Sequence, residues 1–351
     1  MRHFNIPIFV PHRGCPFQCV FCNQTHITGT DRQVTPEDVR RTIRDYVKTL
    51  PKEDRFVEAA FFGGSFTGIP IDVQRELLRA AYEFIKEGII DGIRLSTRPD
   101  YITDEILAQL ATFGVTAVEL GVQSMDEDVL ALSQRGHHPQ DVREAVKKIR
   151  TYSFSLGLQM MTGLPGDTEE KSLATAKALI GLKPDFVRIY PTLVVKDTPL
   201  EMMYRQGDYT PQTLEAAVKL CVKLKKQFDQ AAVPIIRLGL MTTEEIAPGR
   251  ALVAGPFHSS FGELVQTEEY YEKLVRILDG VKERDAVILV HPTQMSKVIG
   301  NRKINKNRIE QLYGIRIKIK PDPIIEKGQI ILYNRERGET DVSQTNRGTG
   351  I

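Results

Sequence analysis

The feature that most constrains this chain is an alternation. From residue 4 to 195, short runs rich in β-branched and aromatic residues alternate with segments of helical period. The runs "FNIPIFV" (4–10), "VEAAFFG" (57–63), "GIRLS" (92–96), "TAVELGV" (116–122), "LGLQMM" (156–161) and "DFVRIYP" (185–191) read as strands. Amphipathic stretches with start signals stand between them. In "TPEDVRRTIRDYVKTL" Thr35 can cap, Pro36 takes the first helical position and two acids follow. Further helices begin at Pro70, Thr103, Asp126, Pro139 and Thr168. Six strand-then-helix units predict an α/β protein with a mostly parallel sheet, which right-handed crossovers curl into an open (β/α)6 partial TIM barrel. Ligands of such a sheet gather at the C-terminal ends of its strands.

Beyond the sixth unit come a long helical segment, "TPQTLEAAVKLCVKLKKQFDQAA", then "VPIIRLGL" and the Gly/Pro-containing stretch "APGRALVAGPFHSSFGELV". From "AVILV" to "IILYN" the chain reads strand, short helix, turn, helix, strand, strand, a small C-terminal α+β domain. The expected divisions are a core over 1–210, a helical extension with its Gly/Pro loop over 211–284, a basic α+β domain over 285–335 and a flexible tail over 336–351. With 351 residues, 41% of them apolar, the chain can bury one large core or two unequal ones. It shows no internal repeat.

The chain holds no run of about 18 apolar residues, so no membrane span is expected. The start, "MRHFNIPIFVPHRG", is broken by Pro7 and Pro11 and does not read as a signal peptide. A cytoplasmic setting is the expectation, and there thiols stay reduced, so clustered cysteines point to metal or catalysis rather than disulfides. Net charge is only +2, so a basic surface has to be found locally.

Of four cysteines, "RGCPFQCVFCNQ" holds Cys15, Cys19 and Cys22. A structural zinc site is closed by four ligands, and a cubane iron-sulfur cluster offers four irons to four thiolates. Three cysteines leave one corner open, which is useful where a substrate or cofactor must bind the metal. His26, four residues after Cys22, completes a Cys, Cys, Cys, His zinc set instead, and both readings stand on spacing alone. The remaining Cys221 lies at helical spacing with Leu214, Val218 and Leu224 and reads as a core thiol.

"CPFQCVFC" resembles the cluster motif of the radical S-adenosylmethionine (SAM) enzymes. The resemblance implies a [4Fe-4S] cluster on Cys15, Cys19 and Cys22, with SAM closing the fourth site through its amino and carboxylate groups. Phe21 would shield the cluster or touch the adenine. Further matches follow in the family's order. Gly63, Gly64 and Ser65 in "FFGGSFTG" stand where the family's Gly-Gly-Glu-type turn accepts the SAM amino group, glycine allowing close backbone approach. Ser96 and Arg98 in "STRPDY" would meet a ribose. Gln123 and Arg135, in "VELGVQSMDEDVLALSQRGHH", are spaced like the Gln and Arg that hold SAM in oxygen-independent coproporphyrinogen oxidases, where an Arg fork suits a carboxylate. Gln159 and Met161 in "QMMTGLPGDT" would face the cofactor, and the turn over 163–166 is similar to the family's late glycine motif. His137 and His138 read as helix-boundary residues.

Within that family the wording most resembles the Elongator catalytic subunit's radical domain and its bacterial relatives: "GGSFTG", "STRPDYI", "VELGVQS", "RGHH", "GLPGDT" and "YPTLVVKDTPLEMMYRQGDY". Two departures matter: the first two cysteines stand closer together, and the chain is too short for an acetyltransferase domain. Carboxymethylation by an acetyl-CoA route therefore does not transfer. What the resemblance implies is reductive cleavage of SAM to a 5′-deoxyadenosyl radical, with an electron donor such as flavodoxin or ferredoxin and the hard chemistry carried by the cofactor.

The C-terminal span carries Lys297, Arg302, Lys303, Lys306, Arg308, Arg316, Lys318 and Lys320. Its element order resembles a KH domain, in which a GxxG loop between two helices grips single-stranded backbone. Gly300 opens that loop in "VIGNRK", Lys303 replaces its second glycine, and Arg302, Lys303 and Lys306 are candidate phosphate contacts, which makes RNA a candidate partner. "GPFHSSFGE" is either a substrate loop bearing His258 and Glu263 or a connector. Three functions follow for test: a radical enzyme modifying RNA or tRNA, a radical enzyme on a small metabolite, and a non-catalytic zinc or RNA-binding protein. No catalytic acid or base is assigned.

Overall fold

The computed structural model describes residues 2–10, 19–23, 33–240, 246–247 and 249–333, and divides the chain into two compact units between Ser259 and Ser260. In the first unit β1 (Arg2–Phe9) is followed by α1 (Pro36–Val47), β2 (Arg55–Phe62), α2 (Ile71–Lys86), β3 (Gly92–Thr97) and α3 (Asp104–Thr112). Then come β4 (Val115–Gln123), α4 (Glu127–Leu132), α5 (Pro139–Ile149), β5 (Ser155–Thr162), α6 (Glu169–Gly181) and β6 (Phe186–Pro191). The unit ends with β7 (Val194–Val195), α7 (Pro199–Gln206), α8 (Leu214–Gln230), β8 (Ile235–Leu238) and β9 (Leu252–Ala254).

The start signals act as expected. Thr35 caps α1 by accepting from the Asp38 N–H, while the Asp38 carboxylate accepts from the Thr35 N–H at 3.1 Å, a capping box followed by Pro36. Side-chain oxygens of Thr103, Asp126, Thr168, Thr198 and Thr213 cap α3, α4, α6, α7 and α8.

Seven strands form the main sheet in the order β1-β2-β3-β4-β5-β6-β8, every neighbouring pair parallel. All six expected strands are present, and the six-unit reading falls one strand short. "VPIIRLGL" supplies β8 beside β6, but no helix-period segment follows it, and that was the mark that identified the others.

Period-two alternation gives the sheet two unlike faces. Val118, Leu120 and Val122 of β4 and Leu156, Leu158 and Met160 of β5 are buried on the apolar face. Cross-strand pairing of Ser96 with Glu119, Gly121 with Gln159, Gln159 with Arg188, and Met161 with Tyr190 puts a polar set on the opposite, inner face. That face opens toward the C-terminal strand ends.

The second unit holds α9 (Phe261–Leu278), β10 (Asp285–Val290), α10 (Met295–Ile299), α11 (Ile304–Tyr313), β11 (Arg316–Pro321) and β12 (Ile330–Tyr333). After α9 its order is the expected strand, helix, helix, strand, strand. β10 lies in the middle of its sheet, parallel to β11 and antiparallel to β12. Leu274, Ile288, Val298, Ile309 and Ile317 form its core. The helix α9, expected in an extension of the first unit, belongs to this one because its apolar side packs on that core. No helix among the described residues is long and apolar enough to cross a membrane.

Candidate functional site

Cys19 is buried, 5% exposed, and the Cys22 N–H donates to its carbonyl at 3.0 Å, so the two thiols share a tight turn. The turn is tied down on both sides of Val20. Its N–H donates to the Ser133 carbonyl at the end of α4 (3.1 Å), and its carbonyl accepts from the Leu200 N–H in α7 (2.8 Å). Val20 packs with Val194, Leu200 and Tyr209, and Phe21 lies against the same cluster. Cys15 and His26, with most of the sequence around the motif, lie outside the described residues.

At the end of β2, Gly63 takes φ 102°, a conformation that side-chain-bearing residues rarely adopt, and Gly64 is half-buried beside it. Ser65 turns inward: its hydroxyl lies 2.9 Å from that of Thr97 and accepts from the Arg98 N–H at 3.2 Å. Ser96 remains half-exposed on the inner face. Arg98 is 1% exposed and its fork is committed, two N–H groups to the Asp100 carboxylate (2.9 and 2.8 Å) and one to the Arg135 carbonyl (2.7 Å). Its place is beneath the site, holding Arg135.

The end of β4 is bent. The ladder to β5 skips a residue between Gly121 and Gln123, and the Ser124 N–H donates to the Val122 carbonyl at 2.9 Å. Gln123, at the centre of that three-residue turn, has φ 69°, which matches a γ-turn of the strained, positive-φ type. Bulges of this kind re-aim side chains near sites. The Gln123 side-chain carbonyl accepts from the Gln159 amide at 3.2 Å, so these two expected site residues meet on the inner face. Met161 lies beside them, half-buried and level with Tyr190. Arg135 reaches the same edge: one terminal N–H lies 3.4 Å from the Cys19 sulfur, the other donates to the Gly121 carbonyl at 2.7 Å, and Nε is buried without a partner.

Below this edge runs an ionic chain that sequence reasoning missed. Glu58 accepts from His3 (2.5 Å), Thr116 and Arg94 (2.8 Å), Arg94 donates on to Glu119 (2.9 Å), and Glu119 takes both Nε and an Nη of Arg188 at 2.6 and 3.1 Å. The other end of the Arg188 fork lies 3.4 Å from the Tyr190 hydroxyl. Burial lowers the Arg188 pKa, but Glu119 and Tyr190 outweigh it and leave the guanidinium more firmly charged than usual. A signal existed: Glu58 in "FVEAAFF", Arg94 in "GIRLST" and Arg188 in "FVRIYP" each stand as a lone charge among apolar residues.

A second depression lies outside the sheet, lined by Leu164, Asp167, Met203, Asp208, Tyr209 and Gln212 among others. Burial holds the Asp167 carboxyl above its usual range, although it accepts from Ser172 (2.7 Å) and the Gly163 N–H (2.8 Å). It is the clasp of the 163–166 turn, which the Tyr209 hydroxyl also grips by donating to the Gly163 carbonyl at 2.6 Å. Cys221 is fully buried in α8, its pKa pushed up to about 12 by burial, in keeping with a core thiol.

In the second unit, Gly300 (φ 75°) ends α10, and Arg302 and Lys303 follow with φ 50° and 61°. Lys303, where the loop pattern has its second glycine, thus adopts a backbone conformation glycine prefers. Both cations are exposed, while Lys306 is drawn to Glu310 at 3.0 Å. The stretch bearing His258 and Glu263 straddles the division between the units.

The donor set fits an iron-sulfur cluster with SAM. Two thiols on one turn, a buried guanidinium N–H without a partner and a pair of inner-face amides stand at the edge where such sheets bind ligands. Comparison with known families agrees. The model of the radical SAM superfamily matches residues 9–179, and that of the radical SAM C-terminal domain matches 184–273. The chain belongs to the radical SAM superfamily, whose cofactors are a [4Fe-4S] cluster and SAM. Among its relatives is the tRNA uridine(34) acetyltransferase of Dehalococcoides mccartyi, 29% identical over 233 residues, which are 56% of this chain and 50% of that protein. Another is Elongator complex protein 3 of Saccharomyces cerevisiae, 29% identical over 210 residues, 54% of this chain and 38% of that one. The chain thus spans half or less of the length of these two relatives. The solved structure of Elp3 from the archaeon Methanocaldococcus infernus, lacking its N-terminus, shares the fold with a TM-score of 0.60 at 24% identity, covering 80% of this chain and 64% of that one.

Proposed function

We propose that this chain is a radical SAM enzyme that modifies tRNA. In this reading Cys15, Cys19 and Cys22 carry the cluster, and SAM lies across the C-terminal ends of β2 to β5. What supports it above all is the meeting of Cys19, Gln123, Gln159 and Arg135 at one edge of a parallel half-barrel. The cluster, when bound and reduced, supplies the electron that cleaves SAM. The protein's own groups bind and orient: Gly63 and Gly64 allow close backbone approach, Ser96 offers a hydroxyl, and the Gln123–Gln159 pair offers amide groups. Met161 and Phe21 add apolar surface that excludes water. The relatives' names support tRNA as the substrate class, and Arg302 and Lys303 in the second unit are suited to its phosphates. An electron donor such as flavodoxin or ferredoxin and a cytoplasmic setting complete the proposal.

The test is anaerobic. Protein reconstituted with iron and sulfide is given dithionite, SAM and bulk tRNA, and 5′-deoxyadenosine is quantified by mass spectrometry beside a Cys19→Ala control. Product that requires Cys19 and increases with tRNA is the expected result. Product indifferent to RNA moves the substrate to the small-metabolite class, and colourless protein that binds zinc overturns the reading.

A further inference from the structure

The inner face of the half-barrel has two unlike halves. Over β3 to β5 its mouth carries Ser96, Gln123 and Gln159, the hydroxyl and amide groups that serve SAM in the proposed function. Over β1, β2 and β6 it is aromatic. Register pairs Phe9 with Phe62, and the residues before them, Ile8 and Phe61, are buried on the opposite face, so both rings stand on the inner one. Phe9 is 37% exposed, and Phe62 is half-buried beside it.

Three strands separate β2 from β6, yet the Arg188 guanidinium lies over the Phe62 ring, 5.4 Å from its centre. The curl of the sheet therefore carries β6 across the lumen to β2. Tyr190, the next inner-face residue of β6, is half-buried, with its hydroxyl 3.4 Å from Arg188. One layer deeper the same pairing recurs, Arg94 over Phe186 at 5.0 Å, but there both residues are buried and form a floor. The upper layer repeats those parts and faces the mouth.

What such a layer can hold follows from its charge. Glu119 takes Nε and an Nη of Arg188 at 2.6 and 3.1 Å, which offsets the guanidinium charge and fixes its plane. A phosphate or carboxylate would have to compete with Glu119, whereas a neutral flat ring would not. Aromatic faces and guanidinium planes are the surfaces on which unpaired bases stack, and the N–H groups of Arg188 that Glu119 leaves free suit a ring carbonyl. Enzymes that act on a base take it out of its stack into a pocket of this kind.

We infer that Phe9, Phe62, Arg188 and Tyr190 form the receptor for one unpaired nucleobase of the RNA substrate, held beside the cofactor. The inference rests on the proposed function and deepens it by assigning the base its own half of the lumen. Register builds in the adjacency: Gln159 pairs with Arg188 and Met161 with Tyr190, so each base-side residue of β6 neighbours a cofactor-side residue of β5.

The test separates placement of the base from general RNA affinity. Full-length protein, reconstituted anaerobically, is mixed with bulk tRNA and crosslinked with short-wave ultraviolet light, and nucleotide-bearing peptides are mapped by mass spectrometry. Adducts on Phe9, Phe62 or Tyr190 are expected. Phe62→Leu, which keeps apolar bulk but removes the flat face, should lower kcat/KM for tRNA-stimulated 5′-deoxyadenosine formation about tenfold, and Phe62→Tyr should retain it. Phe9→Ala should lose a similar factor; because Phe9 is exposed, its truncation spares the fold, and it decides if Phe62→Leu assembles no cluster. In each variant equilibrium dialysis with labelled SAM is expected to show cofactor affinity retained. Adducts confined to the second unit, with Phe9→Ala and Phe62→Leu both within about twofold of wild type, overturn the inference. So does SAM affinity that falls in step with kcat/KM in both variants, since the rings would then only support the sheet. Wild-type SAM cleavage that ignores tRNA overturns the proposed function itself, a distinct result.

Discussion

His137 is 2% exposed, with Arg135 and Arg98 close by and neither ring nitrogen in a well-formed hydrogen bond; only the Val122 backbone favours its protonated form. Burial first, then the two arginines, hold its pKa down to about 2, against an ordinary 6.5. Between those values the unfolded chain takes up a proton that the folded chain refuses, so stability is lost as pH falls below 6.5. By pH 5 the loss amounts to about 2 kcal/mol from this residue alone. Urea unfolding of His137→Leu and wild type near neutrality and at about pH 5 should show that much less pH dependence in the variant; equal slopes would mean that the imidazole reaches solvent. The ionic chain gives a second residue-scale expectation. Glu119 is shared by Arg94 and Arg188 with its side chain 4% exposed, so Glu119→Gln leaves both cations short of their counter-charge. It should cost about 3 kcal/mol in urea unfolding, and a change under about 1 kcal/mol would show the network to be loosely solvated.

The unusual element is the end of β4, where a bulge, a γ-turn and two inner-face amides coincide. Strain there is measurable by comparing two substitutions that both delete the Gln123 side chain. In an ordinary strand alanine is more stable than glycine, but at φ 69° the order should reverse, Gln123→Gly exceeding Gln123→Ala by about 1 kcal/mol in urea unfolding. Alanine above glycine would rule the turn out. Elements are also the scale at which the sequence was most legible. The strands from β1 to β6 and their following helices could be read because each apolar run was succeeded by a cap and a helical period, as at Thr35, Thr103 and Thr168. β8 could not, lacking that successor. Within the site, the family resemblance pointed to Gln123 and Gln159, which do meet. It could not show that Ser65 turns inward, because that depends on Thr97 and Arg98, which the β2–β3 edge brings beside it. The Arg98–Asp100 pair is local, two residues apart, and it was the tie from Arg98 to the Arg135 carbonyl that only the fold could bring about. Nor does a local pattern announce that Glu58, Arg94, Glu119 and Arg188 from four strands will join.

At the scale of the molecule, the two units differ in chemistry: a half-barrel whose polar groups converge on a thiol-bearing turn, and a small basic domain whose loop carries exposed cations. Arg302 and Lys303 both occupy positive-φ backbone next to Gly300, a cost that packing does not explain, since both side chains are exposed. In the function proposed above this loop grips phosphate, and such contacts have a salt signature. For single-stranded RNA each phosphate neutralised contributes about 0.7 to the slope of log affinity against log salt. The double variant Arg302→Gln with Lys303→Gln should therefore bind a single-stranded RNA probe more weakly at low salt, with a slope shallower by about 1.4, as read by fluorescence anisotropy over a salt series. SAM binding to the reconstituted first unit's site, within the same full-length protein, should be unaffected. An unchanged slope would place the RNA contacts elsewhere, with Arg316, Lys318 and Lys320 next to examine: these exposed side chains alternate along β11 with Ile317, which is buried in the core. Because their β-strand spacing is rigid while the Arg302 loop is strained, the same series would separate the two surfaces: removing the strand cations changes charge alone. Substituting glycine at position 303 changes charge and relieves the backbone together. Lys303→Gly should therefore be the rarer combination, a variant that weakens RNA binding while making the folded domain about 1 kcal/mol more stable in urea.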